Sequence, residues 1–439
     1  MREIVVEPLS RVEGEGGLTI QMEGKRLKEV RFDILEGTRL IETLVVGKTP
    51  AEDLSIVCRI CAICTVSHRL AALRGLEKAL GIEVPPKVEL MRRLMHLGEC
   101  LESHSLHVFL LALPDFLGYP SAIAMTEEYG EDVMKALSLK KYANRIMEVT
   151  SGRMIHGENP TVGGFGRYPD SSVLLDLKKQ AQEMLPFAER GVDLVAGLEV
   201  PSFFESDTVF MCCEPGNGEY GLWGDEIRIS DGEVVDCEQY QKIVKERVVS
   251  HSSAKHCLHK GKPFTVGALA RLNNLGERLE GKAGDLFKKH WTERWRKNPM
   301  FNNAAQAVEI VWALEQIPRN VDSILEIEEV PKIVAPTRKE GEAVGVVEAP
   351  RGTLYHHYKI RDGLVASANF IIPTGQNLED CERYLRKAVE EFIQQEADDE
   401  TIRGQCEMIV RAYDPCISCS THTVIVDDSR GPNRIPKKI

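Results

Sequence analysis

No stretch of the 439 residues stays apolar long enough to cross a bilayer. The most apolar segment, around Val108 to Leu113, falls far short of the roughly 20 residues a spanning helix needs. The opening MREIVVEPLSRVEG lacks the apolar centre of a signal peptide. Runs of Lys and Arg are missing and the formal net charge is −12, so nucleic acid and anionic membrane surfaces are not expected partners. The chain has no internal repeat, low-complexity tract or obvious linker. No G-x-G-x-x-G turn sits in a βαβ context, so a dinucleotide cofactor is not expected on this chain. These absences predict a cytoplasmic protein without membrane insertion.

Hydrophobic content of 43% and charged content of 28% are ordinary for a globular protein, and the length suits one large domain or two intimate ones. The first 35 residues alternate apolar and polar positions around Gly-rich turns and predict a small antiparallel sheet. From about Thr49 to Leu198 the periodicity is helical. Residues Val88 to Leu113 predict one long helix ending before Pro114, of the kind found in bundle cores. Further helices are predicted at 129–149, 171–197, 303–317 and 377–397. Residues 207–236 and 343–372 read as β, with Asp362-Gly363 as a hairpin turn. The predicted class is α+β: a mostly helical core with a long-helix bundle and small peripheral antiparallel sheets.

Twelve cysteines in a reducing compartment are not a disulfide framework. Eight of them, Cys58, Cys100, Cys212, Cys213, Cys237, Cys257, Cys381 and Cys406, read as buried inert thiols. The other four form two C-x-x-C pairs, Cys61/Cys64 and Cys416/Cys419, each with a histidine close behind (His68, His422). Such a pair brings two thiolates to one metal, and soft thiolates select zinc, nickel, copper(I) or iron–sulfur centres. The pairs lie 352 residues apart (416 − 64), which excludes a local zinc ribbon but not a long-range zinc site. The run from Cys58 to Cys64 begins like a bacterial ferredoxin motif, but the required fourth cysteine is missing.

These residues resemble the large subunits of nickel–iron hydrogenases. The N-terminal R-x-C-x-x-C-x-x-x-H motif is matched by Arg59, Cys61, Cys64 and His68. The C-terminal D-P-C-x-x-C-x-x-H motif is matched by Asp414, Pro415, Cys416, Cys419 and His422. RVEG at 11–14, EGTRLIE at 36–42, APRG at 349–352 and the segment Ala368 to Thr374 follow in the family's order. The resemblance implies four thiolates around nickel, Cys61 and Cys416 terminal, Cys64 and Cys419 bridging to an iron that carries carbon monoxide and cyanide. It implies a proton-transfer role for Glu13 and a place for Arg351 over the open metal position. Pro350 and Thr374 would stand near the cyanides. Glu42, His422 and the carbonyl of Phe370 would hold a magnesium-like cation. Ser103 stands where many family members carry Asp, which points towards the cytoplasmic, cofactor-linked branch. His104 and His107, on an apolar helix, read as satisfied core residues.

The resemblance also implies that a maturation protease cuts between His422 and Thr423 once chaperones have loaded nickel. Residues 1–422 would then be one large-subunit domain and 423–439 a removed extension. Electrons would leave through an iron–sulfur small subunit, with no cluster in this chain, and pass to diaphorase-type subunits binding FAD and NAD(P). The expected reaction is reversible heterolytic cleavage of H2. Two other readings stay open on the sequence alone, a metal-free relay subunit related to respiratory complex I and a zinc-stabilised scaffold.

Overall fold

The computed structural model describes residues 2–201 and 205–421. Its centre is a bundle of long helices: Pro86–Ser105, Thr126–Ser151, Ser171–Ala196 and Asn302–Glu326. They pack because each keeps an apolar stripe at helical spacing, such as Val88, Met91, Leu94 and Met95 on the first. The predicted helices at 129–149, 171–197, 303–317 and 377–397 correspond to Thr126–Ser151, Ser171–Ala196, Asn302–Glu326 and Pro373–Gln394. Among the described residues, no helix is long and apolar enough to cross a membrane.

The long first helix does not stop before Pro114. It continues from Ser105 through a π-helical segment, Leu106–Ala112, into a short α-helix, Leu113–Leu117. The amide of Leu113 bonds back five residues to the Val108 carbonyl. That wider turn lets the chain accept Pro114, which has no amide to donate and sits in the first turn of the last piece.

The strands Arg2–Val6, Gly16–Glu23 and Arg26–Ile34 form the predicted N-terminal antiparallel sheet. A second antiparallel sheet joins Gly341–Ala349, Gly352–Arg361 and Leu364–Ile371, with Asp362 and Gly363 both at positive φ in its second turn. In a four-stranded sheet, Phe264–Thr265 pairs in parallel with Val209–Glu214, so the peripheral sheets are not all antiparallel. The helix Thr65–Leu80 lies directly on the 341–361 hairpin. A Cβ at Gly345 would stand 2.0 Å from the Ala71 carbonyl oxygen, so only glycine allows this approach. The contact brings the first cysteine pair, at the start of that helix, against the hairpin that carries Arg351 in its turn and His356 in its second strand.

Candidate metal centre

Four sulfurs from the two ends of the chain meet. Cys416 Sγ lies 3.3 Å from Cys61, 3.5 Å from Cys64 and 3.0 Å from Cys419, and Cys64 lies 3.0 Å from Cys419. All four are free thiols, buried, and could ligate one ion together. Hydrogen bonds from Cys416, Cys419 and Cys64 hold Cys61 well below the ordinary thiol range, while burial pushes Cys416 and Cys419 well above it. Four thiolates packed this closely out of water require a compensating cation, and their softness suits nickel and iron.

The surrounding polar groups explain how such remote segments are held. Arg39 donates to the carbonyls of Ile60 (2.6 Å) and Ser418, one in each cysteine loop, and its own amide bonds to the Thr421 carbonyl. Glu99 accepts from the amides of Val66 (2.6 Å) and Ser67 (2.8 Å), the first free amides of the helix behind Cys64. Burial pushes that carboxyl up to about 8. Neither Arg39 nor Glu99 is singled out by composition or spacing. Arg39 lies inside the EGTRLIE element, the one signal that pointed near it.

Glu13 runs beside the second pair. Its carbonyl accepts from the Ile417 amide (3.0 Å), and its carboxylate accepts from the Ser418 amide (3.1 Å) and hydroxyl. Gly14 follows at φ +88, where a Cβ would stand 2.7 Å from the Ile417 side chain, so the close pass needs glycine. The segment is anchored upstream by Arg11, which shares Asp115 with Arg411. Burial, then the negative Cys61, raise the Glu13 carboxyl above its usual range, against the opposing pull of Ser418.

Arg351 is buried beside the thiols. Its Nε and Nη2 donate to Asp414 at 2.9 Å, and its Nη1 has no partner among the described residues. Burial works against charge on Asp414, and the Arg351 guanidinium outweighs it, holding the carboxyl below its usual range. Asp414 is steadied in turn by Gln306 (2.9 Å), and Gln306 by His107 (2.5 Å). Removing one partner of a buried pair strands the other charge. Asp414→Ala is therefore expected to lower stability by about 3–5 kcal/mol, visible as an earlier thermal transition. An unchanged transition would mean that Arg351 is not held by this pair.

A small cavity opens among Cys64, Cys416, Cys419, Arg351, Thr374 and Pro373. Thr374 Oγ1 accepts from the Cys416 amide (2.8 Å), which leaves its own proton to donate. Pro350 is not among the residues that line the cavity; its carbonyl accepts from Arg271 (3.0 Å). Pro373, which does line it, was not picked out from the sequence. Glu42 accepts from the Phe370 amide at 2.6 Å. His422, the other expected cation ligand, and the whole 423–439 extension lie outside the described residues. His104 and His107 are core residues with partners, Glu309 (2.7 Å) for the first and Gln306 and the Arg411 carbonyl (2.7 Å) for the second.

A closed structural zinc site has no use for a guanidinium beside an adjoining cavity with one nitrogen left without a partner among the described residues. Residues 39–133 and 232–422, which include all four thiols, match the nickel-dependent hydrogenase family. The chain belongs to the nickel-dependent hydrogenase family. It is 40% identical over 421 residues to sulfhydrogenase 1 subunit alpha of Pyrococcus furiosus, covering 96% of this chain and 98% of that one. It is 42% identical over 423 residues to sulfhydrogenase 2 subunit alpha of the same organism, covering 96% and 99%. Its fold superposes on an NAD+-reducing nickel–iron hydrogenase in the H2-reduced state with a TM-score of 0.89 at 29% identity, covering 96% and 100%. The hydrogenase large-subunit reading and its nickel–iron cofactor therefore stand.

Proposed function

We propose that this hydrogenase subunit cleaves H2 reversibly at a nickel–iron centre held by Cys61, Cys64, Cys416 and Cys419, with Glu13 as the proton carrier. The convergence of these four sulfurs beside Arg351 carries the reading. When bound, the nickel–iron group with its carbon monoxide and cyanide supplies the chemistry that separates H2 into protons and electrons. The four thiolates would hold it, Cys61 and Cys416 in the terminal roles and Cys64 and Cys419 in the bridging roles that the family resemblance implies. Arg351, fixed by Asp414, aims a permanent cation into the cavity without exchanging protons there. Thr374, whose Oγ1 accepts from the Cys416 amide, would have its hydroxyl proton free for a cyanide nitrogen, and Pro350 keeps the backbone before Arg351 in place through Arg271.

Glu13 receives the proton. It sits against the Cys416–Cys419 loop, accepts hydrogen bonds from Ser418, and burial raises its proton affinity above that of an ordinary carboxylate, which suits a group that takes up and passes on a proton. Electrons leave to an iron–sulfur small subunit and on to diaphorase-type subunits carrying FAD and NAD(P), as the relatives named NAD+-reducing and sulfhydrogenase suggest. Glu42, His422 and the Phe370 carbonyl hold a magnesium-like ion, and the setting is cytoplasmic.

Metal analysis and infrared spectroscopy of the purified complex test the assignment. Nickel and iron together, with carbon monoxide and cyanide bands, are expected; zinc alone would support a scaffold instead. Maturation is proposed to end with cleavage after His422, leaving residues 1–422 as the working domain. Intact mass spectrometry of the active enzyme is expected to show loss of the last 17 residues (439 − 422). Full-length chain in active enzyme would refute that step.

A further inference from the structure

A second group of ligand side chains, separate from the four sulfurs, comes together where the helix Pro373–Gln394 packs on the strands Arg26–Ile34 and His256–Leu258. A ring nitrogen of His251, one of His256 and a carboxylate oxygen of Glu382 all lie within 4.8 Å of one another. His256 opens its strand, and His251 stands in the turn leading there from the antiparallel partner Lys245–Arg247. His256 is fully buried, yet its Nε2 has no partner among the described residues. A polar atom in that position costs stability unless something satisfies it. The other ring nitrogen, Nδ1, lies 3.0 Å from Oε2 of Glu379, which stands three residues before Glu382 on the same helix face. A carboxylate behind an imidazole in this way is the usual support of a metal-ligating histidine, and it leaves Nε2 as the atom His256 can give to an ion. Glu382 uses one oxygen, Oε1, for both of its hydrogen bonds, with the Phe32 amide (2.9 Å) and His251 Nε2 (2.7 Å). Charge points the same way. Asp33 is balanced by Arg31 and Glu379 by Arg247, whereas Glu382 has no Lys or Arg partner among the described residues.

We propose that His251, His256 and Glu382 bind one zinc ion, a second metal site independent of the thiol cluster and of the hydrogenase reading. Two imidazoles with one carboxylate suit zinc, whereas magnesium and calcium take oxygen ligands. The group contains no sulfur, so it selects its ion by different chemistry from the four cysteines. Ligand atoms on one tetrahedral zinc stand roughly 3.3 Å apart, so small side-chain rotations close the group around the ion. The His251 and Glu382 side chains are 18% and 16% exposed, so water reaches the fourth position from their side. Closed structural sites use four protein ligands; three with a water leave the ion exchangeable. Zinc here satisfies the stranded Nε2 of His256, compensates Glu382 and replaces the His251–Glu382 hydrogen bond with two coordinate bonds. It ties the 251–256 segment to the helix Pro373–Gln394, and through the Phe32 contact of Glu382 to the N-terminal sheet. The first turn of that helix carries Pro373 and Thr374, which line the thiol cavity, so the tie steadies one wall of the cavity from the far end of the same element.

The test adds zinc chloride to the assembled holoenzyme after mild chelation, and reads zinc uptake, nickel content, melting temperature and X-ray absorption at the zinc edge. The parent is expected to take up one zinc more per chain than His251→Ala or His256→Ala, with a higher melting temperature after uptake. Neighbours of that zinc are expected to be nitrogen and oxygen at about 2.0–2.1 Å. Glu379→Gln removes only the group behind His256 and is expected to weaken uptake roughly 10- to 100-fold. His290→Ala is the control, a histidine paired with Asp193 outside the group, and is expected to bind zinc as the parent does. If His256→Ala does not fold, the half-buried His251→Ala decides. Equal uptake by the parent and His251→Ala, or no uptake by the parent, would overturn the proposal. So would a zinc edge showing only sulfur neighbours at about 2.3 Å, which puts the ion among the cysteines. Nickel content reports separately: an unmutated enzyme without nickel would sink the hydrogenase cofactor assignment and leave the zinc result standing or falling on its own readings.

Discussion

Cys416→Ala is expected to yield a folded chain that retains no nickel and turns over no H2. Cys416 Sγ is within 3.5 Å of each of the other three sulfurs, at the centre of the cluster. Two costs compete in the variant. Losing one buried sulfur leaves a void of about methyl size, worth ~1 kcal/mol. Losing one of four thiolates removes a large share of a metal-binding free energy that runs to about 10 kcal/mol or more for thiolate sites. The second dominates, so the fold survives while the centre does not. The backbone supports this, because the amide of residue 416 still donates to Thr374 and residue 417 still pairs with Glu13. Elemental analysis with H2-dependent dye reduction checks it. Parental nickel content and turnover in the variant would remove Cys416 from the ligand set.

Glu13→Gln should leave the metals in place and stop the protons. Glutamine keeps the shape of the side chain and can still accept from the Ser418 amide through its carbonyl. It cannot load and release a proton. General acid–base groups contribute roughly 10²- to 10⁴-fold, and a loss of that order in turnover is expected. Nickel and iron content should be unchanged, because glutamine is nearly the same shape as glutamate and can keep the contacts that Glu13 makes with Ser418 and with the Cys416 side chain. The decisive measurement is hydrogen–deuterium exchange between gas and solvent, which needs proton movement but no electron partner. Exchange at the parental rate would place the proton exit elsewhere.

Much of the site was legible before any coordinates. Two C-x-x-C pairs with trailing histidines marked a thiolate metal site by their spacing, and the family resemblance of the RVEG and APRG elements pointed to Glu13 and Arg351. The long helices were legible because amphipathic periodicity is a local property. The missed features depend on partners distant in sequence. Nothing local in Glu99 marks it as the acceptor for the amides of residues 66 and 67, and nothing in Arg39 shows that it ties both cysteine loops together. The expected break at Pro114 misled because a π-turn, which has no strong local signature, let the helix absorb the proline. Pro350 and Pro373 each precede a candidate site residue, and only the fold shows that Pro373 faces the cavity.

Residue type and spacing alone determined four soft ligands in two pairs and a helical core to carry them, and the family resemblance added the nickel–iron reading with a carboxyl and a guanidinium beside it. Side-chain softness, charge and helical period are properties of short segments, so they survive being read in one dimension. The tertiary structure decided how chain ends 352 residues apart are held to within 3.5 Å, and which buried groups hold them there. Those outcomes depend on desolvation and on pairing between remote segments, and neither exists until the chain has closed around them.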